Sequence, residues 1–482
     1  MMQRRADEGR DLPTTAGIPL VIDARTAVWR RSLLLLALCA YLKVSAVRIF
    51  RVAAWALAGR RHLEHKLLDA NVAPAVPLPL DPQVASVAAG AAALDRPVYI
   101  ASVAPSPLLC EVASSHPDIA GVMAADVAGR RLSEGNLTAF LGQFPQGFEV
   151  VTGGRRAEIR RYPAAGFQAG GSSARMPLAA AAPGFATPSP IRELLRGLRL
   201  HQCVKNLLVF VPIILGGRLT DLAEVAYTVM AFVALSAIAS ATYLVNDIWD
   251  VAEDRRHWSK RHRPIAAGRL APASALSIAS LGICLGVGLG FLVSFKTGAM
   301  LVLYLTITLA YSLHLKTVAF ADGLALATLF TVRLGIGAAA ADVPPSPWLF
   351  VFSMFLFASL SYAKRHTELV KAAAREHNGS NGRGYRPIDA PMLLTVGLSA
   401  GIGAVLIMVL YIVEEAFRNS FYGSTAWLWG FPPLVFLFVV RIWLLSARGE
   451  MNDDPVAFAI KDRISIGLMG LLMLCFAFAW LG

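Results

Sequence analysis

The chain has 482 residues, of which 56% are hydrophobic and 16% are charged. Globular proteins average about 45–50% and about 25%, so this composition excludes a soluble enzyme of this size and an intrinsically disordered chain. The net charge of +13 would suit nucleic acid, anionic lipid or phosphorylated substrates. Basic cytoplasmic loops explain it more simply in a membrane protein. We therefore expect an integral membrane protein with no nucleic-acid partner.

The first 161 residues mix charge, proline and short apolar runs, which indicates a soluble module preceded by a disordered N-terminus at 1–16. One apolar stretch, Leu33 to Ala58, is interrupted by Lys43, Arg48 and Arg51. Charges near the middle of a span cost about 2.5–3.5 kcal/mol each, which argues against a crossing here. The stretch predicts an amphipathic helix on the membrane, or part of a helical cap at about 30–70.

Residues 162–190 are rich in Ala, Gly, Pro and Ser, which indicates a linker. Beyond it, residues 191–482 contain nine apolar runs, and about 20 residues are needed to cross a bilayer as a helix. The fold class predicted is thus an all-α transmembrane bundle of nine helices behind an α/β module. The nine spans are expected at about 206–217, 223–244, 273–295, 297–313, 320–341, 347–363, 392–412, 427–446 and 464–481.

Lysine and arginine concentrate in alternate loops between these runs. The loop between the second and third spans carries six of them, and so does the loop between the sixth and seventh. The intervening loops hold one or none. The positive-inside rule then predicts that the basic loops and the N-terminal module face the cytoplasm, at a bacterial inner membrane.

Acidic residues crowd at the end of the second predicted span, in Asn246-Asp-Ile-Trp-Asp250-Val-Ala-Glu-Asp254. If the helix continues, one amide and three carboxylates of this motif fall within an arc of about 100°. Packed carboxylates repel one another unless a cation lies between them, and Mg²⁺ is the usual cation beside substrate phosphates. A solvated helix end is the alternative, but the basic stretch that follows suits a diphosphate. The predicted metal ligands are Asn246, Asp247, Asp250 and Asp254.

Further polar residues are predicted to lie at the same membrane face. Asp322 and Arg333 are eleven residues apart and so share one helix face, about 16 Å apart along the axis. Ionisable groups in apolar sequence are functional candidates, with a structural ion pair as the alternative. The candidate catalytic residues are Asp247, Asp250, Asp254 and Asp322. The candidate substrate-binding residues are Lys205, Asn206, Asn246, Lys260, Arg263, Tyr311, Lys316, Arg333, Lys364, Arg365 and Glu368.

With this acidic spacing and the opening His201-Gln-Cys-Val-Lys-Asn206, residues of about 190–482 resemble the UbiA superfamily of membrane prenyltransferases. The resemblance implies nine helices around a cavity, with the Asp-rich motif holding Mg²⁺ on a diphosphate. Aromatic prenyltransferases of that superfamily usually carry a second motif, DxxxD, after the sixth span. This chain reads Lys364-Arg-His-Thr-Glu368 there, which looks more like the branch that includes decaprenyl-phosphate phosphoribosyltransferase.

Three functions are left open by that resemblance. The favoured one transfers phosphoribosyl from phosphoribosyl diphosphate to a polyprenyl phosphate, with Mg²⁺ as cofactor. The second is an aromatic polyprenyltransferase of the 4-hydroxybenzoate type that uses a polyprenyl diphosphate. The third is a non-catalytic membrane scaffold or a transporter, which would need no Mg²⁺ and would carry charges deep in its spans.

Residues 17–161 resemble a haloacid-dehalogenase-like (HAD-like) phosphatase domain, with Rossmann-like strands at about 18–23, 97–103 and 148–152. Asp23 stands at the position of the nucleophile, and Ser102 fits the second motif. The second aspartate of the family's DxDGT loop is Arg25 here, and the third-motif lysine is Thr138. The resemblance therefore implies a module without phosphatase activity that serves as a scaffold or binding module.

Overall fold

The computed structural model describes residues 18–28, 30–70, 80–102, 109–111, 113, 118–124, 144–152, 158–163, 174–177, 190–257, 259–374, 384–418, 422–451, 458 and 462–481. Outside them lie the predicted disordered N-terminus at 1–16, most of the predicted linker, Thr138 and the side chain of Arg25. The chain divides into two compact units. The first unit consists of residues 1–198 and 247–277, and the second of residues 199–246 and 278–482.

The helices and strands alternate only in the N-terminal part of the chain. The strands are β1 Leu20–Asp23, β2 Val98–Ser102, β3 Gly121–Ala124, β4 Gly147–Thr152, β5 Glu158–Pro163 and β6 Ala174–Pro177. The α-helices are α1 Ala24–Ala27, α2 Arg30–Val44, α3 Ile49–Leu57, α4 Arg60–Asp69, α5 Pro82–Ala93, α6 Pro190–Leu198, α7 Val211–Leu215, α8 Leu222–Trp249, α9 Val251–Arg256, α10 Pro272–Val293, α11 Phe295–Leu313, α12 Ala321–Ala340, α13 Pro347–Ala374, α14 Ala390–Glu414, α15 Phe431–Ala447 and α16 Arg463–Leu481. Short 3₁₀ helices occupy Ala46–Arg48, Leu200–Phe210, Lys260–His262, Leu315–Thr317, Pro387–Asp389, Ala416–Arg418 and Thr425–Gly430.

The first unit contains a six-stranded sheet in the order β3-β2-β1-β4-β5-β6. The strands from β3 to β4 pair in parallel, whereas β5 and β6 add antiparallel. All four residues of β1 are buried, as expected for a parallel strand covered on both faces. The carboxyl ends of β1 and β2 bring Asp23 and Ser102 to the same edge of the sheet.

Helices α2, α4 and α5 supply the apolar cover of this sheet. Leu33 and Tyr41 of α2, Leu67 of α4 and Val84 of α5 share one core with Ile22 of β1. Burying these side chains removes apolar surface from water, which holds α2 in the first unit. Helix α2 therefore packs on the sheet, whereas α3 has no buried residue. Helices α2 to α4 lie within 30–70, and their role as a cap stays a prediction.

Eight described helices are long and apolar enough to cross a membrane, namely α8 and α10 to α16, so the chain is an integral membrane protein. The count becomes nine only if Ile191–Leu198 and Leu200–Leu215 form one bent span. The expected first span at about 206–217 is not one α-helix, because the chain forms the 3₁₀ helix Leu200–Phe210 before α7. Pro212 has no backbone N–H, so it cannot donate the hydrogen bond that would continue an earlier helix. It therefore lies in the first turn of α7.

Within the second unit, close packing depends on small residues. A Cβ added to Gly337 of α12 would collide with the backbone carbonyl oxygen of Val209. A Cβ on Gly397 of α14 would likewise collide with the ring of Trp443 of α15. Glycine therefore lets the backbones of this helical bundle approach closely, as membrane helices commonly do.

Candidate active site

The acidic motif lies where α8 ends and α9 begins. Asp247 and Asp254 are buried, whereas Asn246 and Asp250 are half-buried. The predicted continuous helix is interrupted at Asp250, whose φ of −92° and ψ of 9° depart from α-helical values. The backbone N–H of Asp254 donates to the carbonyl of Asp250 at 2.8 Å, so a new helical turn begins directly at the break. The break does not separate the two buried aspartates, which meet through an arginine.

That arginine is Arg263, which follows the 3₁₀ helix Lys260–His262. Its Nη1 donates to Asp247 Oδ1 at 3.1 Å and to Asp254 Oδ2 at 2.6 Å. Burial raises the pKa of Asp254, the positive charge of Arg263 opposes this rise, and the negative charge of Asp247 adds to it. Two buried carboxylates thus converge on one cationic nitrogen, whose positive charge offsets the repulsion between them.

The loop that carries Arg263 is held by further contacts within the first unit. Arg255 Nε donates to the carbonyl of Ala266 at 2.9 Å. Arg269 Nε donates to the buried carboxylate of Glu193 at 2.7 Å, and its Nη2 donates to the carbonyl of His262 at 2.7 Å. These three bonds fix the loop on both sides of Arg263, so its guanidinium is positioned rather than loosely tethered.

Helix α2 also reaches the acidic motif. Lys43 Nζ donates to the carboxylate of Glu253 at 2.6 Å and lies 5.8 Å from the ring centroid of Trp249. Its two partners flank Asp250 in the chain. Lys43 was not among the candidate residues, because 210 positions separate it from Glu253 and no spacing pattern reports so distant a contact.

The residues of the motif fit a magnesium ion in part. Among the residues that the structure describes, no group of three or more His, Cys, Asp or Glu side chains is arranged to hold a metal. Asp247 and Asp254 nevertheless offer two carboxylates to one cationic nitrogen. Mg²⁺ in proteins typically takes one or two carboxylates and fills its shell with water and substrate phosphates. This pair therefore matches the donor set that Mg²⁺ prefers.

A second polar network lies inside the second unit, around Asp322 at the start of α12. Arg365 Nε donates to Asp322 Oδ2 at 2.5 Å, and the Tyr385 hydroxyl donates to Asp322 Oδ1 at 2.5 Å. Arg365 Nη1 also donates to both oxygens of Glu368 at 3.0 Å, and its Nη2 lies 3.4 Å from the Tyr311 hydroxyl. Burial and the hydrogen bond to Asp322 raise the pKa of Tyr385. Arg365 therefore neutralises both carboxylates.

Tyr385 was absent from the candidate list, although its segment lies between two predicted spans. The hydroxyl of Tyr385 also accepts a hydrogen bond from the backbone N–H of Phe320 at 2.8 Å. Phe320 has a φ of +63°, a conformation rare for a bulky residue. The sequence signal that could have found Tyr385 is a lone aromatic hydroxyl in a glycine-rich basic loop, and that signal is weak.

Arg333 contacts different residues of the second unit from those around Asp322. Its Nε donates to Asn206 Oδ1 at 3.0 Å and its Nη2 to the Tyr304 hydroxyl at 3.0 Å. Its Nη1 donates to the carbonyl of Leu329 at 2.7 Å. Asn206 Nδ2 in turn donates to Ser236 Oγ at 3.0 Å. The expected shared face of Asp322 and Arg333 does not make them partners, because each is held by a neighbouring helix.

The remaining candidates are four lysines whose exposure to solvent is intermediate. They are Lys205, Lys260, Lys316 and Lys364. The structure therefore brings the candidates together in three sets. These sets are Asp247, Asp254 and Arg263, then Asp322, Arg365, Glu368 and Tyr311, then Asn206 and Arg333.

Comparison with known proteins places this chain among membrane transferases. The model of the UbiA prenyltransferase family matches residues 209–460, just over half of the chain. An uncharacterized protein of Sinorhizobium fredii is 39% identical over 290 residues, which cover 60% of this chain and 56% of that protein. The decaprenyl-phosphate phosphoribosyltransferase of Mycobacterium tuberculosis is 31% identical over 284 residues, covering 57% and 89%. The structure of a UbiA homolog from Archaeoglobus fulgidus bound to DMAPP and Mg²⁺ aligns with a TM-score of 0.47 at 14% identity, covering 60% of this chain and 97% of the homolog.

Proposed function

Because this chain belongs to the UbiA prenyltransferase family, we propose that it is a Mg²⁺-dependent membrane transferase that moves phosphoribosyl from phosphoribosyl diphosphate to a polyprenyl phosphate. The name of the relative that is 31% identical supports this choice of donor and acceptor. The observation that carries the choice is the environment of Asp322 and Glu368. Both carboxylates bind Arg365, and the stretch that would carry a second DxxxD motif has Lys364 in place of its first aspartate.

In this proposal, Asp247 and Asp254 hold Mg²⁺ at the donor diphosphate, with Asp250 and Asn246 as further ligands. The ion, when bound, supplies positive charge to the leaving diphosphate. Arg263 bridges the two aspartates in the structure. If these carboxylates held the metal, the Arg263 guanidinium would be available to bind a phosphate oxygen, for which its planar set of donors is suited. Lys260 stands three residues before it and adds a second cation.

The reaction needs no proton transfer at the acceptor. The bond between ribose C1 and the diphosphate oxygen breaks, and its electron pair leaves with the diphosphate. An oxygen of the polyprenyl phosphate, already an anion, forms the new bond to C1. Lys205, Arg333, Lys364 and Arg365 are the residues proposed to position the lipid phosphate or the ribose phosphate.

Aromatic prenylation places a different demand on the protein. There the attacking ring carbon must lose a proton after the new bond forms, so a base is required. Asp322 already accepts hydrogen bonds on both of its oxygens, from Arg365 and Tyr385, so neither oxygen is open to take a proton from a substrate ring. This argues for the phosphoribosyl reaction over the aromatic one.

For the N-terminal module we propose a HAD-like sheet without phosphatase activity, on the cytoplasmic side of a bacterial inner membrane. Asp23 and Ser102 share the edge of the sheet where such domains carry their chemistry. The family's second aspartate is replaced by Arg25, which cannot serve as a general acid at neutral pH. Asp23→Asn should accordingly leave the transfer reaction unchanged, and a phosphatase activity lost in this variant would contradict the proposal.

The test incubates the purified full chain in lipid nanodiscs with Mg²⁺, polyprenyl phosphate and labelled phosphoribosyl diphosphate. Label should enter the lipid phase, and Asp254→Asn should abolish the transfer. Asp342→Asn is the matched control, because Asp342 is exposed and pairs only with exposed Lys296 among the described contacts. Turnover of an aromatic acid with a polyprenyl diphosphate instead would favour the aromatic alternative. No turnover of either pair would favour a scaffold or transporter.

A further inference from the structure

Helix α3 turns an apolar face away from the core of the first unit. None of its residues is buried, and Phe50 and Leu57 are 75% and 90% exposed. Only Val52 and Trp55 pack against the core. At 100° per residue, Phe50 and Leu57 lie on the opposite side of the helix from these two. A helix on the surface of a soluble protein would carry polar residues at such positions.

The apolar face extends beyond the helix itself. Val44 and Val47, in the turn between α2 and α3, and Ile49 at the first position of α3 are also exposed. Ala53 and Ala54 are exposed between Phe50 and Leu57. The resulting patch is contiguous along residues 44–57, and contiguous apolar patches of this kind mark interaction sites.

The charge around this patch is mostly positive. Residues 24–63 contain eight Lys or Arg and no Asp or Glu. Arg51 and Arg61 are exposed beside the apolar face, and Arg60, also exposed, pairs with Glu64 at 3.0 Å. Arg48 instead lies over the ring of Tyr41 at 4.7 Å. An apolar face bordered by arginines matches the interface of a bilayer, where acyl chains lie beneath a layer of anionic headgroups.

We propose that α3 and the preceding turn dock on an anionic phospholipid surface, with Phe50 and Leu57 inserted among the acyl chains. Arg51 and Arg61 bind lipid phosphates at the rim. The sequence left open a membrane-surface helix or a helical cap for this stretch, and this proposal adopts the first for the outer side of α3. The inner side of α3 packs on the module and its outer side is left for lipid. This docking is independent of the reaction that the chain catalyses.

The test places a photoreactive benzoylphenylalanine at position 50 of the full chain, in nanodiscs that contain phosphatidylglycerol. Position 94 is the matched control, because Leu94 is 73% exposed in the same unit but lies at the end of α5. After irradiation, we expect at least about fivefold more phospholipid adduct at position 50 than at position 94. Equal adduct at both positions, or a crosslink between two copies of the chain at position 50, would overturn the proposal.

A second measurement tests the charge. The double variant Arg51→Glu with Arg61→Glu should reduce the phospholipid adduct at position 50 in phosphatidylglycerol nanodiscs by about threefold or more. In nanodiscs of phosphatidylcholine alone, the same variant should have little effect. Both arginines are exposed, so the fold should survive, and an unchanged elution profile on size exclusion verifies it. An adduct that ignores both the substitutions and the lipid charge would contradict recognition of anionic lipid.

Discussion

Replacing Arg365 by methionine should destabilise the second unit, because the carboxylate of Asp322 would lose its cation. The side chains of Asp322 and Arg365 are 0% and 2% exposed, and their closest atoms lie 2.5 Å apart. Removing one partner of a buried ion pair costs about 3–5 kcal/mol, since the other charge stays away from water. Tyr385 would still donate a hydrogen bond to Asp322. We therefore expect the lower end, about 3 kcal/mol.

For a large cooperative unit, each kcal/mol lowers Tm by about 2 °C, so Arg365→Met should melt about 6 °C below the wild type. Asp322→Asn should cost less, about 1–2 kcal/mol, because Arg365 keeps both oxygens of Glu368. The double variant should recover most of the loss of Arg365→Met, because no buried charge is left without a partner.

The assay is thermal denaturation of the purified full chain in detergent, followed by the size-exclusion peak of the folded protein. Wild type, the two single variants and the double variant form a complete cycle, so the coupling between the two residues is measured directly. A Tm for Arg365→Met within about 2 °C of the wild type would refute this account of the ion pair. A double variant no more stable than Arg365→Met would refute it as well.

Three further outcomes follow from the structure. Gly337→Ala should lower the free energy of unfolding by about 1–3 kcal/mol, because the new Cβ would collide with the carbonyl of Val209. Gly335→Ala is the control, because a Cβ there makes only ordinary contacts. Equal melting temperatures for the two variants would contradict this packing. Hydrogen bonds from Arg441 lower the pKa of Asp462 from 3.8 to about 2, so this pair stabilises the fold above the ordinary pKa and the contribution is lost as the pH falls. Asp462→Asn should thus melt below the wild type at neutral pH, and the gap should narrow below about 3.8 and close as the pH falls through about 2. A gap independent of pH would count against the pair. Chelation by EDTA should abolish transfer and added Mg²⁺ should restore it, whereas activity that survives chelation would remove the metal from the proposal.

The spans were predictable because lipid imposes one strong rule, that every backbone polar group must be satisfied within the segment. The fifth span, expected at about 320–341, is α12 at Ala321–Ala340. The first predicted span is less regular, and it counts as a crossing only if Ile191–Leu198 and Leu200–Leu215 form one bent span. Its apolar run is short and contains Pro212, and the chain forms a 3₁₀ helix followed by one α-helical turn.

The site was predictable only where its residues are close in sequence. Asp247 and Asp254 share one local motif, so helical spacing was enough to group them. The partner of Asp322 was not, because spacing along α12 suggests Arg333, whereas Arg365 arrives from α13. The shape of the whole bundle decides which helices are neighbours, and a single sequence gives little information about that packing.

The contact of Lys43 with Glu253 joins parts of the chain 210 positions apart. Since both belong to one polypeptide, the lysine is supplied to the aspartate motif in a fixed one-to-one ratio and at an effective concentration of about millimolar. A chain that begins only at the predicted linker would lack Lys43. If the N-terminal module is added as a separate protein, we expect the contact to return only near saturating concentrations of that protein. The covalent link between the two parts therefore helps to hold the motif in place.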